Sequence, residues 1–269
     1  MIVHSHFRQS GFLMKLLLSV LCLLAFTFAR ADETVPDKIL LGAGLWSRPA
    51  YDGANTNQTV LIPIIRYYSQ PYFARTTFGM LEGGLRKELS KGLTIGVQLA
   101  YEGARIREES DFLAQHNIAS YPPSLSWGMH AVLEQKLGPV PVIALVRLRQ
   151  DADTNRGAQA DFRLTLGIYS HADLNAGLFG QLTWADSLSA QYHYGISAQQ
   201  SLASGLPGYQ AQGGALYRAA GLLWSYDLNN AWLLLGSLET RQLGDGARNS
   251  PLTQTGNNEY FSLGLAFRF

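Results

Sequence analysis

Cysteine is almost absent from this sequence of 269 residues. Cys22 is the one cysteine, and it lies in an apolar run from Leu16 to Phe28 that follows a lysine and precedes the A-x-A pattern Ala29-Arg30-Ala31. This order predicts a secretory signal peptide over residues 1–31, which would be cleaved before Asp32. The run is too short to cross a bilayer as a helix, which needs about 20 apolar residues.

Two alternatives stay open at this leader. Residues 1–13 either extend its basic end or are not translated, if Met14 is the true start. Leu21 stands before Cys22, where a lipoprotein acceptor site has a small residue, and this disfavours lipid attachment. The mature domain, predicted as residues 32–269, then contains no cysteine. An exported fold without disulfides must be held by something else, such as a closed hydrogen-bonded sheet.

A charge excess and a long apolar run are also lacking. Removing the leader leaves 18 basic and 20 acidic residues, without the basic patch that nucleic acid requires, so we predict no nucleic-acid partner. No mature stretch has the length and apolarity of a spanning helix. Apolar residues instead alternate with polar ones along short segments. A closed β-barrel is the other structure that can cross a bilayer, because its backbone N–H and C=O groups are hydrogen-bonded between strands.

The last strand shows the alternation most clearly. Residues 259–269 place one wholly apolar set on one face and a small or polar set on the other, because strand side chains alternate. The apolar set is Phe261, Leu263, Leu265, Phe267 and Phe269, and the other set is Tyr260, Ser262, Gly264, Ala266 and Arg268. A strand ending on Phe269 resembles the terminal signal read by the barrel-assembly machinery. The alternative is the last strand of a soluble sandwich.

The same alternation predicts twelve antiparallel strands. With the N-terminus taken as periplasmic, the connections expected at one end are 48–57, 79–82, 105–125, 151–157, 185–213 and 244–258. All of them except 79–82 are long, and all connections at the other end are short. Such sorting by parity is typical of bacterial outer-membrane barrels and has no cause in a soluble sandwich. This sorting holds only if Ala190 to Ser197 is not an additional membrane-spanning strand. Pro63 predicts a bulge or distortion in the second strand. The predicted strands are 39–46, 58–68, 72–78, 83–89, 93–102, 126–137, 140–149, 158–169, 173–184, 216–228, 232–241 and 259–269.

Large aromatic residues lie near the ends of the predicted strands, on the apolar face. Aromatic rings favour the boundary between bilayer and water, so we interpret them as two girdles in contact with outer-membrane lipids. The alternative is a set of core aromatics in a sandwich. The residues are Tyr101, Trp127, Trp184, Trp224, Trp232 and Phe269.

Several motifs then resemble the MipA/OmpV family of outer-membrane proteins, from about Leu41 to Phe269. The most specific are Y-H-Y-G-I-S-A-Q-Q-S and S-G-L-P-G-Y, supported by G-A-G-L-W-S-R-P-A-Y-D-G, L-I-P-I-I-R-Y, R-Q-L-G-D-G-A-R-N-S-P-L and L-G-L-A-F-R-F. His193 and the tryptophan of W-S-R-P depart from the expected pattern.

The resemblance implies a Gram-negative outer-membrane barrel without a catalytic motif. The founding member is described as a scaffold joining a lytic transglycosylase to a penicillin-binding murein synthase, and others are linked to osmotic response, adhesion or antimicrobial susceptibility.

Candidate chemistry is weak elsewhere. Ser126, His130 and Glu134 loosely resemble a barrel hydrolase, but a polar lumen lining explains them better, since Glu134 lies two pleats from His130, about 13 Å away. Asp151, Asp153 and Asn155 begin like a calcium loop, yet Arg156 and Phe162 replace its glycine and glutamate. Glu108, Glu109 and Asp111 fit a hydrated loop better than a cation site. We therefore predict no catalytic residue, metal or cofactor.

Charges of both signs are expected to share the lumen. The set is Arg147, Arg149, Arg163 and Arg241 with Glu102, Glu134, Asp161 and Glu239. Mixed signs favour a cross-braced interior over an ion-selective pore, and about twelve strands give a bore narrower than that of porins. The sequence favours a non-enzymatic structural or scaffolding barrel that is plugged or nearly closed. The alternatives are a narrow channel, a surface-loop binding protein and a lumen hydrolase.

Overall fold

The computed structural model describes residues 39–77 and 79–269; the predicted leader and Phe78 lie outside this part. Twelve antiparallel strands form one closed barrel, in which each strand pairs with its neighbours in sequence and β1 pairs with β12. The predicted fold is confirmed. The strands are β1 Ile39–Pro49, β2 Asn57–Ser69, β3 Tyr72–Thr77, β4 Met80–Ser90, β5 Leu93–Glu102, β6 Ser124–Leu137, β7 Val140–Asp151, β8 Ala158–His171, β9 Leu174–Ala185, β10 Gly214–Asp227, β11 Trp232–Leu243 and β12 Asn257–Arg268.

The two faces of the strands differ as the alternation predicts. In β5, Leu99 is 61% exposed on the outside, whereas its neighbour Ala100 is buried in the lumen. β12 has the same arrangement, with Phe261, Leu263 and Leu265 outside. Trp127, Trp184 and Trp232 are exposed on the outer face near strand ends. An apolar outer face flanked by aromatic rings is what a bilayer requires of a barrel.

The two ends of the barrel differ in their connections. The end that we call the turn end has connections of a few residues, such as Gly138-Pro139, and the loop end carries the long segments 50–56, 103–123, 152–157, 186–213 and 244–256. In bacterial barrels the short turns are periplasmic. The predicted sorting by parity is confirmed, with one exception. Residues 79–82 are not a loop, because β4 begins at Met80 and Arg75 pairs with Glu82.

The long segments contain helices instead of strands. Ala190 to Ser197, whose spanning would have changed the strand count, lies mainly in α2. Asp186 caps α2 by accepting from the Ser189 N–H at 2.7 Å, and a capping box between Ser197 and Gln200 starts α3. The helices are α1 Asp111–Gln115, α2 Ser187–Tyr194, α3 Ala198–Ser204 and α4 Asp245–Arg248. Within the described ranges, no helix has the length and apolarity needed to cross a bilayer.

The second strand is irregular on one edge. The β1–β2 register passes through Ala43 and Pro63 without a shift, so the bulge predicted at Pro63 is absent. The irregularity lies on the other side, where β2 and β3 pair only between Arg66–Ser69 and Tyr72–Arg75. Proline is confined largely to edges and bulges because it donates no ladder hydrogen bond. Here it lies in an unpaired edge.

Candidate functional site in the lumen and loop cap

A chain of ion pairs crosses the middle of the lumen. Arg147 on β7 lies 2.9 Å from Glu82 on β4 and 2.7 Å from Asp161 on β8. The first of these pairs joins strands that are not neighbours, so it spans the interior as a chord. Glu82 is 1% exposed and Arg147 5%. Charges this deeply buried are tolerated only when they are paired and hydrogen-bonded.

Each carboxylate of this lumen network has several donors. Glu82 accepts from Arg75 and, at 2.9 Å, from Gln98 Nε2, while Thr183 Oγ1 donates to Asp161 at 2.8 Å. Arg149 extends the network to Glu102 at 2.6 Å. The cross-braced interior predicted from the sequence is therefore present. Sequence reasoning missed Arg75 and Glu82 as members, and Glu134 does not belong, because it is exposed at the turn end.

A second charged group lies nearer the loop end. Arg241 on β11 binds Glu239 and Asp52, both at 2.8 Å, and Tyr260 donates a hydrogen bond to Asp52. Asp52 comes from the β1–β2 loop, so this group ties a loop to the barrel wall. Burial alone would raise the pKa of Asp52, but the Arg241 guanidinium and the Tyr260 hydroxyl outweigh it and lower the pKa.

The residues that loosely resembled a hydrolase are not brought together. Ser126 donates to Glu102 at 2.8 Å, and His130 Nδ1 lies 2.7 Å from Gln98 Oε1. The imidazole of His130 also packs edge-on against Phe73. A nucleophile needs its base within hydrogen-bond reach, and here the serine and the histidine have different partners. Ser126 and His130 belong to the polar lumen lining, whereas Glu134 is exposed at the turn end.

The acidic loop candidates have partners inside the protein. Asp151 and Asp153 accept hydrogen bonds from backbone N–H groups two residues later, as in Asx turns. Glu109 lies 3.5 Å from Arg48 and accepts from Gln58. Among residues 39–77 and 79–269, no cluster of three or more histidine, cysteine or acidic residues is placed to hold a metal ion.

Four of the long loops pack together and cover the loop end. Their contacts bury a continuous apolar cluster, and we call the assembly the loop cap. Tyr51 donates to the Leu252 carbonyl at 2.8 Å, and Asn258 bonds to both Gly53 and Ala54. The cluster consists of Ala50, Tyr51, Ala54, Leu113, Ile118, Ile196 and Leu252. The loop cap thus places side chains from distant loops over this end of the barrel.

His193 of α2 lies on the inner side of the loop cap. Its Nδ1 lies 3.1 Å from the Tyr121 hydroxyl, and its carbonyl accepts from Arg105 at 3.1 Å. The pKa of His193 is lowered to about 4, mainly by burial; the Glu102 carboxylate opposes the shift and the Arg105 charge adds to it. The imidazole is therefore neutral at pH 7.

This shift predicts that the loop cap loosens in acid. In an opened cap His193 titrates near its ordinary pKa of about 6.5, so the open form takes up a proton that the closed form resists. The stabilisation is complete above about pH 6.5 and is lost as the pH falls toward about 4. Hydrogen exchange of residues 186–213 should speed up across this window. His193→Gln should flatten the profile, whereas His171→Gln at the turn end should not. An unchanged profile in His193→Gln would exclude this histidine as the cause.

A cavity of about 440 Å³ lies in the lumen below the loop cap. One side is apolar, with Trp46, Val60 and Ile62, and the other is charged. Five arginines but only three carboxylates line it, namely Arg48, Arg105, Arg147, Arg149 and Arg241 against Asp52, Glu102 and Glu239. Toward the turn end, the interior near β1 and β11 is filled by Leu40, Ile64, Leu233, Leu235 and Ala266.

One protein family and two named outer-membrane proteins match most of this chain. Residues 41–269 match the family described as "MltA-interacting protein MipA". The "Putative outer membrane protein YiaT" of Escherichia coli O157:H7 is 25% identical over 256 residues, which cover 93% of this chain and 98% of that protein. The protein of the same name from Escherichia coli strain K12 matches with the same identity and coverage.

Solved structures of outer-membrane proteins match this chain at low identity. The NanC porin matches with a TM-score of 0.46 and 10% identity, covering 86% of this chain and all of that one. An outer membrane channel from Pseudomonas putida F1 matches with a TM-score of 0.46 and 11% identity, covering 90% of this chain and all of that one. These likenesses concern the fold alone. The family match over most of the chain, on a closed barrel with an apolar outer face, identifies the chain as an outer-membrane β-barrel protein of the MipA family.

Proposed function

We propose that this protein is a non-enzymatic structural barrel that holds murein-processing enzymes at the periplasmic side of the outer membrane. The observation that carries the proposal is the lumen network. Its buried arginines and carboxylates bind one another across the bore, so they are engaged in bracing the barrel. In a barrel braced in this way, the two ends are the surfaces available for binding other proteins.

The partner class comes from the family description, which names interaction with MltA. For this chain we propose a lytic transglycosylase and, through it or beside it, a penicillin-binding murein synthase. The turn end is the surface that faces the periplasm in bacterial barrels. Its short turns, such as Gly138-Pro139, are held on rigid strands and present a fixed platform. The leader at residues 1–31 is proposed to be cleaved on export, so that the purified protein begins at Asp32.

Affinity capture from detergent-solubilised envelopes tests the proposal. The tagged protein should retain a lytic transglycosylase and a penicillin-binding protein. Replacing Gly138-Pro139 by Asn-Gly keeps a two-residue hairpin turn but changes the presented surface, and it should reduce capture several-fold. Leu202→Ser in α3, a residue 90% exposed at the loop end, is the matched control and should leave capture unchanged. Failure to retain either enzyme in several detergents would refute the scaffold.

The alternative functions predict different results. A narrow channel for small solutes would give discrete single-channel conductance in planar bilayers, whereas a braced barrel should give little or none. A surface-loop binding protein would lose ligand binding in Leu202→Ser or other loop-end variants and keep it in the turn variant. A lumen hydrolase has the least support, because His130 is bonded to an amide rather than to a nucleophile or a carboxylate.

A further inference from the structure

The barrel wall has a gap between β2 and the β3–β4 hairpin. The β2–β3 pairing ends at Arg66 and Arg75. Continuing that register would pair Ile65 with Thr76 and Ile64 with Thr77, but neither pair forms among the described residues. From Asn57 to Ile65, β2 is thus paired with β1 on one edge only. We call this opening, on the loop-end half of the wall, the β2–β3 gap.

An unpaired strand edge is costly in a membrane. Backbone groups at bilayer depth must be satisfied inside the protein or by water in a cavity, so barrels normally leave no edge. Pro63 lies within this edge and lacks an N–H, which makes the edge a poor template for a strand from another chain. Outside, Leu61 is 74% exposed toward the lipid side. The gap therefore suits an apolar chain better than a protein strand.

The gap leads into the lumen cavity. Val60 and Ile62 of β2 and Thr77 and Met80 of the hairpin all line that cavity, so residues on both sides of the gap border it. The volume of about 440 Å³ falls within the range of about 300–1,000 Å³ that is usual for small-molecule sites. A mainly apolar entrance joined to an interior in which one arginine, Arg105, has no carboxylate partner among the described residues fits a molecule with a hydrocarbon chain and an acidic head.

Arg105 is the candidate partner for the head. It is 6% exposed, lines the cavity and stacks on the Tyr121 ring at 4.6 Å. Its described hydrogen bonds go to the carbonyls of His193 and Ala119, and its Nε has no partner within the described chain. It forms no ion pair with a carboxylate among residues 39–77 and 79–269. A buried cation without a counter-charge is unfavourable, and an incoming anion would satisfy it.

We propose that the β2–β3 gap admits the acyl chain of an anionic membrane amphiphile from the outer leaflet into the lumen cavity, where Arg105 binds the acidic head. Trp46 controls the entrance, because its ring packs directly against Gly79 at the tip of the hairpin. Movement of this ring widens the passage, and its return closes it. The proposal does not depend on whether the turn end binds murein enzymes.

Fluorescence quenching tests whether chains enter. Trp46 faces the lumen, whereas Trp127, Trp184, Trp224 and Trp232 lie on the outer face, so replacing these four by Phe leaves one reporter inside. In vesicles of brominated phosphatidylcholine containing dibromostearic acid, Trp46 should be quenched to an extent comparable with a variant that retains only Trp127. Unquenched Trp46 would overturn the proposal, and crosslinked dimers of an Ile65→Cys protein would then assign the edge to a second copy.

Two matched variants localise the path. Val60→Phe fills the inner side of the gap and should reduce the quenching of Trp46 several-fold. Leu61→Phe places the same ring one residue along on the lipid face and should leave quenching unchanged. Equal quenching in both variants would exclude the gap as the route.

The acidic head is tested separately. Dibromostearic acid should quench Trp46 at several-fold lower concentration than its methyl ester, and Arg105→Gln should abolish that difference. If the variant with four replacements does not fold, native mass spectrometry of the unaltered protein gives the same comparison. It should retain the fatty acid and release the ester. Equal retention of acid and ester would exclude Arg105 as the site of the head.

Discussion

Replacing Arg147 by alanine is expected to lower the free energy of unfolding of the barrel by about 3–5 kcal/mol. Arg147 lies between Glu82 and Asp161, and both carboxylates are buried in the lumen. Removing the guanidinium leaves Glu82 with only Arg75 as a counter-ion and Asp161 with only Arg149, so both buried carboxylates lose their shared partner. The loss in free energy reflects buried carboxylates that have fewer counter-ions, not the net stabilisation by the intact ion pairs. Denaturant titration in lipid vesicles, followed by tryptophan fluorescence, measures the change.

Two further variants separate this cause from a general effect of removing an arginine. Arg218 is exposed on the outer face and bonds to Gln242, so Arg218→Ala should change stability by no more than about 0.5 kcal/mol. Adding Glu82→Gln to Arg147→Ala removes one of the two buried negative charges and should recover part of the lost stability. If Arg147→Ala unfolds like Arg218→Ala, the network does not brace the barrel.

The outer face of this barrel was predictable because lipid imposes a simple rule. Every residue that faces acyl chains must be apolar, so β5 and β12 show strict alternation and their faces are confirmed. The lengths of the connections distinguished the two ends of the barrel, because bacterial barrels have short turns at one end and long loops at the other. The sequence also carries the signature of a capping box at Ser197 and Gln200, where α3 begins.

The lumen was predictable only in part. Mixed charges pointed to cross-bracing, and Arg147, Arg149 and Asp161 do form it. The sequence predicts Glu82 in the connection 79–82, because the strand that follows alternates poorly: Lys87 shares a face with Leu85 and Leu89. Its partner Arg75 is recognised only through strand pairing. Which residues meet across a bore depends on shear and side-chain reach, and neither has a local signal.

The loop cap and the β2–β3 gap depend on contacts between distant segments. Tyr51 and Leu252 are joined by a hydrogen bond although about 200 residues separate them in sequence. The periodicity of apolar residues cannot predict such a contact. Pro63 did signal an irregular strand, but the sequence did not say which edge was affected. The candidate site is formed by these two features, which explains why sequence reasoning found its charges and missed its entrance.

A second large loss of stability is expected at the pairing of β1 with β12, which closes the barrel. Gly42 on β1 faces Ala266 on β12, and a Cβ added at Gly42 would lie 2.0 Å from the Leu265 carbonyl oxygen. Because the obstructing atom belongs to the backbone, no rotamer change relieves it. Gly42→Ala should therefore force apart the pairing that joins the first and last strands. We expect a loss of about 3 kcal/mol or more, at the upper end of overpacking costs.

The control is a glycine on a strand where space is available. Nothing lies within 4 Å of a Cβ built at Gly180 on β9, so Gly180→Ala adds the same methyl group without a clash. Its stability should stay within about 0.5 kcal/mol of the unaltered protein. The folded fraction is read from the different electrophoretic mobilities of heated and unheated samples in detergent. Equal folded fractions for the two variants would mean that the β1–β12 seam yields to a methyl group, and that close packing of glycine there does not determine closure.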